Sequence, residues 1–213
     1  SSTVKVSGNL DGSSTYPYTL SCTSYHGKAY MICEKNLTTQ AGENWRDLQL
    51  NGLVFEDERF SNVAYDTGSQ VISNDLRGGD FEDGDVTNGM NWVSFYSTRP
   101  GDAFAELFLK QSHDEKNNAH FRISDGSLND FFQHVVIDSS TSVSGGDSFY
   151  TKTARVFYNG KKGYWKADRV YRSLKNDLTV SLGESDTNDK SKPENKEFYN
   201  VSSSDQENLT VKT

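Results

Sequence analysis

Between Ala105 and Ser124 the chain reads A-E-L-F-L-K-Q-S-H-D-E-K-N-N-A-H-F-R-I-S. Leu107, Leu109, Gln111 and His113 fall on one side of a period-two pattern, and Ala119, Phe121 and Ile123 on one side of another. The pattern predicts two β-strands joined by a polar turn. Strand geometry then sets Gln111 beside His113 on one face and pairs His120 with Arg122 on the returning strand. An amide, two imidazoles and a guanidinium on a sheet face suit a polar ligand; the plain alternative is a solvated sheet face.

The rest of the chain supports strands as the main element. Of 213 residues, 33% are hydrophobic and 12% aromatic, so aromatic and β-branched residues must carry the core. Expected strands cover Thr3–Leu10, Tyr16–Cys22, Tyr30–Ile32, Asn44–Leu53, Val71–Arg77, Asn91–Ser97, His134–Ile137 and Phe149–Tyr158. The last runs into Asn159-Gly160, a two-residue hairpin signal whose partner strand begins at Lys161. Ser127–Gln133 is the one expected short helix. A polar, mobile segment is expected around 184–197, followed by closing strands at Phe198–Val201 or Leu209–Lys212. The expectation is an all-β fold, an antiparallel two-sheet jelly roll or sandwich with a concave glycan-binding face, built as a single domain over 1–213.

The chain opens on Ser-Ser-Thr and reads as a mature or trimmed protein, and no stretch approaches the roughly 20 apolar residues that span a bilayer. Cys22 and Cys33 bracket a short loop that a disulfide can close, two unrelated thiols being the alternative. With sequons at Asn36, Asn200 and Asn208, the cysteines point to a secreted glycoprotein. A net charge of −8 argues against nucleic acid and anionic membranes as partners. The chain is expected to act as a monomer.

Two charged segments bear on ligands. Asp80, Glu82, Asp83 and Asp85 form an acidic loop between glycines, but their spacing does not fit the helix-loop-helix calcium pattern, and a solvated loop with no metal is expected, calcium binding being the alternative. From Lys152 to Lys175 the sign reverses: Lys152, Arg155, Lys161, Lys162, Lys166, Arg169, Arg172 and Lys175 stand against the single acid Asp168. Tyr158, Tyr164, Trp165 and Tyr171 are interleaved with them. Cations with aromatics suit an acidic sugar, whose carboxylate takes salt bridges and whose ring takes an aromatic platform. A solvated edge hairpin is the alternative.

Three segments, in order, resemble the signature blocks of the alginate lyase family of jelly-roll polysaccharide lyases: Ser73-Asn74-Asp75-Leu76-Arg77 for R-[ST]-E-L-R, Gln111-Ser112-His113 for Q-[IV]-H, and Tyr164 to Tyr171 for the closing Y-F-K-A-G-x-Y strand. Asn44-Trp45 with Leu48-Gln49-Leu50 resembles the family's N-W-x-L-x-L run. Ser73 replaces the first block's arginine, Asp75 its glutamate, and the third block has one extra residue and no glycine.

The resemblance implies a cofactor-free β-elimination on a uronate polymer such as alginate or glucuronan. Gln111 and Arg77 would neutralise the carboxylate, His113 would take the proton beside it, and a tyrosine would protonate the leaving oxygen. Tyr171 holds that place by motif position, with Tyr164 in reserve, and a bulge near Asp168 is needed to aim Tyr171 and Lys166 into one cleft. Lys166, Arg122, His120, Tyr164, Asn74 and Trp165 would bind the polymer. The competing expectation is a non-catalytic lectin or adhesin domain that holds the same glycans on the same face, and a third is a structural domain with no glycan affinity.

Overall fold

The computed structural model describes residues 1–10, 16–46, 48–56, 59–76, 81–86, 89–99, 101–113, 120–125, 129–137, 141–175, 179–182 and 199–202. Side chains at 81–86, 113, 129, 179–182 and 199–202 are outside the description. The chain divides into two compact units, Ser1–Tyr171 and Arg172–Thr213. Arg77, the segment around 184–197 and Leu209–Lys212 lie outside the described residues.

The first unit is a sandwich of antiparallel sheets. Its larger sheet has eight strands, in spatial order β1 (Ser2–Asn9), β2 (Pro17–Ser24), β3 (Tyr30–Thr38), β14 (Ser148–Asn159), β10 (Asp102–His113), β9 (Trp92–Tyr96), β6 (Asn62–Asp66) and β7 (Val71–Asp75). The smaller sheet has the order β5 (Leu48–Glu56), β12 (Asn129–Ile137), β11 (His120–Asp125) and β8 (Phe81–Val86). A short pair, β4 (Glu43–Trp45) with β13 (Thr141–Val143), stands apart from both. In the second unit β15 (Thr179–Leu182) pairs with β16 (Tyr199–Ser202).

Alternation decides which face each strand buries. Val63 and Tyr65 of β6, Val93 and Phe95 of β9, and Phe104 and Phe108 of β10 turn toward the smaller sheet, where they meet Phe121, Ile123 and Phe132. Phe108 packs edge-on to Phe121 with ring centroids 4.9 Å apart. Buried aromatics of this size contribute about 1.5–3 kcal/mol each by area alone, so the inter-sheet layer dominates stability. A second cluster, Leu37, Val136, Ile137, Val143 and Phe149, closes on Trp45, Leu48 and Leu50.

Several expectations are corrected here. β10 and β11 are not paired with each other: β10 pairs with β14 and β9, β11 with β12 and β8. Their apolar faces pack across the core instead, because stacking Phe108 on Phe121 buries both rings and leaves neither face wet. Residues 129–137 are strand, not helix, as their run of Phe131, Phe132, Val135, Val136 and Ile137 favours. Residues 81–86 are an edge strand, not a loop. Asn44–Leu53 is two strands in different sheets.

The Asn159-Gly160 step is no hairpin either. The Asn159 side chain accepts from Lys161 N at 3.0 Å and caps a 3₁₀ turn over Gly160–Lys162. A Cβ at Gly160 would lie 2.8 Å from the Asp102 carbonyl oxygen, which is why this position takes glycine. The chain then enters helix α1 (Trp165–Lys175), not a strand. Ala167, Val170, Tyr171 and Leu174 recur at helical spacing and three of them are buried, while Asp168 in the first turn and Arg172 and Lys175 in the last suit the helix dipole.

Candidate functional site

The outer face of the larger sheet, the one turned away from the smaller sheet, collects the aromatic residues that the sequence singles out. Because Val93 and Phe95 point into the core, Trp92, Ser94 and Tyr96 of β9 point outward. Trp92 is fully buried on that side beneath Tyr164, whose ring stacks on it at 5.4 Å and 28°. Trp165 stacks on Tyr164 at 5.4 Å and 22°, yet is 65% exposed. Three stacked rings thus lead from the sheet to solvent. Lys161, Lys162, Lys166 and Arg169 are exposed in the same stretch of chain, and Arg169 sits one helical turn from Trp165.

Polar groups beneath the helix are engaged with one another. The Tyr171 hydroxyl donates to Asn91 Oδ1 at 2.7 Å, and Asn91 Nδ2 donates to Asp66 Oδ2 at 3.0 Å. Burial, with the nearby Asp66 carboxylate adding to it, pushes the Tyr171 phenol up to about 12. Tyr158 is likewise pushed up to about 12, chiefly by burial, and shares a 2.5 Å hydrogen bond with Ser94 Oγ that acts in the opposite sense. Ser73, where the lyase block has arginine, meets the Tyr96 hydroxyl at 3.1 Å.

The structure separates the residues expected to form one cleft. Gln111 is half-buried and in register with Thr151, whose hydroxyl accepts from Asn51 Nδ2 of the smaller sheet at 3.5 Å, so Gln111 lies on the inner face. His113 occupies a register position opposite Phe149, two residues along the same strand. A register shift between Phe108 and Lys110 produces this arrangement: it takes Leu109 out of the alternation and turns Lys110 and Ser112 outward. Tyr171 sits on the helix packed over the outer face, and no bulge near Asp168 exists because the segment is helical. Gln111 and Tyr171 are therefore on opposite sides of the sheet.

His120 and Arg122 belong to the smaller sheet. Phe121 and Ile123 face the core, so His120 and Arg122 face away from it, His120 buried and Arg122 half-buried, with the whole core between them and Gln111. Asn74 lies on the edge strand β7, opposite Val63. Tyr164, Trp165 and Lys166 are the three expected ligand residues that the structure brings together.

A buried polar cluster within the sandwich has no counterpart in the sequence reading. Glu106, fully buried on the inner face of β10, lies 3.6 Å from Arg155 Nε. Lys35 of β3 donates to the Leu50 carbonyl at 2.7 Å and to Asn51 Oδ1, both on β5. Desolvation lowers the Lys35 ammonium to about 8, against the opposing pull of Glu106. Charged residues at inward positions of alternating strands were the available signal. Among the described residues there is no group of three or more His, Cys, Asp or Glu side chains able to hold a metal, and no helix is long and apolar enough to cross a membrane.

Cys22 and Cys33 are bonded, at directly opposed positions of β2 and β3. No family model and no curated protein matches the sequence. Among solved structures, the chain is similar to the galactosidase domain of an alpha-galactosidase-sucrose kinase at 11% identity and a TM-score of 0.48, over 74% of this chain and 24% of that one. It is also similar to the Slr1438 protein from Synechocystis sp. PCC 6803 at 8% identity and a TM-score of 0.42, over 74% and 61%. A Klebsiella pneumoniae protein assigned to the aldose 1-epimerases has 7% identity and a TM-score of 0.41, over 85% and 56%. The chain thus spans less than two thirds of each of these proteins.

Proposed function

We propose that the chain is a secreted, non-catalytic carbohydrate-binding β-sandwich domain that holds uronic-acid-containing polysaccharides on the outer face of its larger sheet. The observation that carries this reading is Trp165, exposed at the end of a stack anchored in the sheet, with the exposed Lys166 and Arg169 following it on the same helix. A pyranose ring lays its C–H face on such an indole while its carboxylate meets the ammonium groups. The anchoring matters, because a ring already fixed by Tyr164 and Trp92 loses little entropy when ligand arrives. The Cys22–Cys33 bond fits an oxidising compartment.

The binding reading is preferred to elimination because Gln111 and Tyr171 lie on opposite sides of a sheet, whereas acid and carboxylate binder must act on one sugar. Calorimetric titration with alginate and with glucuronan, together with absorbance near the ultraviolet edge, tests both at once. Binding should occur without formation of the unsaturated uronate, and Trp165→Ala should weaken it by about tenfold or more, the scale of an interface tryptophan. Product formation would establish a lyase. Absence of binding to either polymer, or full binding by Trp165→Ala, would overturn the platform.

A further inference from the structure

We infer that a groove crossing β1, β2, β3, β14 and β10 on the same outer face is a second binding site, which takes a carboxylated sugar ring. The inference rests on the reading of the domain as a glycan binder and deepens it. The groove is open, with a volume of about 620 Å³, and its lining is polar. Thr19 and Ser21 come from β2, Ser112 from β10 and Ser148 from β14, so hydroxyls from three strands converge on it, joined by the Asn36 amide of β3. Groups that both donate and accept suit a polyol.

Charge within the groove selects among polyols. Its one lining carboxylate, Glu34, is already used: Oε1 pairs with Lys152 Nζ at 3.0 Å. Lys110 Nζ lies 5.9 Å from the centre of the Tyr150 ring, which steadies the ammonium without neutralising it. Among the described residues neither Lys110 nor Lys5 pairs with a carboxylate, while Lys35, the third lysine of the lining, has its ammonium engaged by the Leu50 carbonyl and Asn51 Oδ1. Two uncompensated ammonium groups amid hydroxyls and an amide match a sugar that carries its own carboxylate.

The groove and the Trp165 platform share one surface. Tyr150, Lys152 and Ala154 alternate onto the same side of β14, Ala154 is opposite Leu107, and Leu107 is opposite Trp92 beneath the aromatic stack. Tyr150 and Ala154 are four residues apart, about 13 Å along the strand. A single polysaccharide chain can therefore engage both.

The test titrates the full chain with a saturated uronate disaccharide, its methyl ester and inorganic sulfate, followed by amide NMR. The acid disaccharide should shift Ser21, Ser112 and Tyr150, and the ester should bind about tenfold more weakly, the scale of a hydrogen bond to a charged group. Lys5→Gln with Lys110→Gln should reproduce that loss for the acid. Equal binding of ester and acid, or no effect of the lysine substitutions, would overturn the inference, and so would saturable binding of sulfate as tight as that of the disaccharide. Trp165→Ala separates this inference from the platform reading. Disaccharide shifts in the groove should persist in that variant while polymer affinity falls. If those shifts vanish with Trp165, the groove fails and the platform stands; if polymer affinity is unchanged while the shifts persist, the platform fails and the groove stands.

Discussion

Raising the pH from 8 to 10 should stabilise this protein, and Lys35 is the reason. Its ammonium sits between the sheets with a folded value of about 8 against 10.5 for an unburied lysine, desolvation being the main cause. Above pH 8 the native state releases this proton while the unfolded chain still holds it. The unfolded state then binds more protons, so stability rises with pH, with a limiting slope of about 1.4 kcal/mol per pH unit. Over two units the gain approaches about 2–3 kcal/mol, a sizeable part of the total stability of a domain. The opposite trend sets in beyond pH 10: Tyr158 and Tyr171, pushed up to about 12, keep protons in the native state that the unfolded chain has lost. Maximum stability is thus expected near pH 10. Both cysteines are in the disulfide, so no free thiol titrates across the range. Urea unfolding at half-unit steps from pH 7 to 11 measures the curve, with Lys35→Met as control, since a methionine of similar length cannot titrate. The reasoning is refuted if wild-type stability is flat or falls between pH 8 and 10, or if Lys35→Met shows the same rise.

Three further outcomes follow from the packing. Phe108→Ala should cost about 3–5 kcal/mol, because its ring touches Phe121, Phe132 and His134 at the centre of the sandwich; a urea midpoint within 1 kcal/mol of wild type would mean the layer can collapse. Reduction of the Cys22–Cys33 bond should destabilise by about 3 kcal/mol in the chain-entropy model, read as the difference between unfolding curves with and without reductant. Folded protein recovered from a secretory pathway should carry no glycan on Asn36, since a sugar added there before β14 is made would obstruct the seam: Asn36 lies mid-strand, half-buried, and its Oδ1 accepts from Ser148 at 3.3 Å. Mass spectrometry decides it, and a glycan on Asn36 would fill the groove proposed for the acidic sugar.

Period-two alternation was a sound guide to where most strands lie, because a strand's face preference is written locally in residues such as Val93, Phe95, Phe104 and Phe108. It carries no information on partners, and the apolar stripes of β10 and β11 serve equally well side by side or face to face; the core chose the second. Helix α1 was legible in the spacing of Ala167, Val170, Tyr171 and Leu174, but reading the segment as a strand motif hid a period of 3.6. Tyr164, Trp165 and Lys166 were legible as neighbours in an aromatic and basic stretch because composition alone marks cations among aromatics. The groove was not, since Lys5, Ser21, Lys110 and Tyr150 converge only once five strands from distant parts of the chain are in register.

The seam between β3 and β14 gives this domain a distinctive order of events during synthesis. Asn36 and Ser148, which meet across it, are 112 residues apart, while Cys22 and Cys33 face each other within a hairpin that leaves the ribosome before β14. The cysteines can therefore meet and oxidise while the strand that will flank their hairpin is still untranslated. Until β14 arrives, the hairpin waits with an open edge, held in register by its covalent staple, and the eight-stranded sheet does not yet exist. Such distant pairing folds slowly and exposes strand edges while it waits. Oxidation of the cysteines can thus precede assembly of the outer face of the larger sheet.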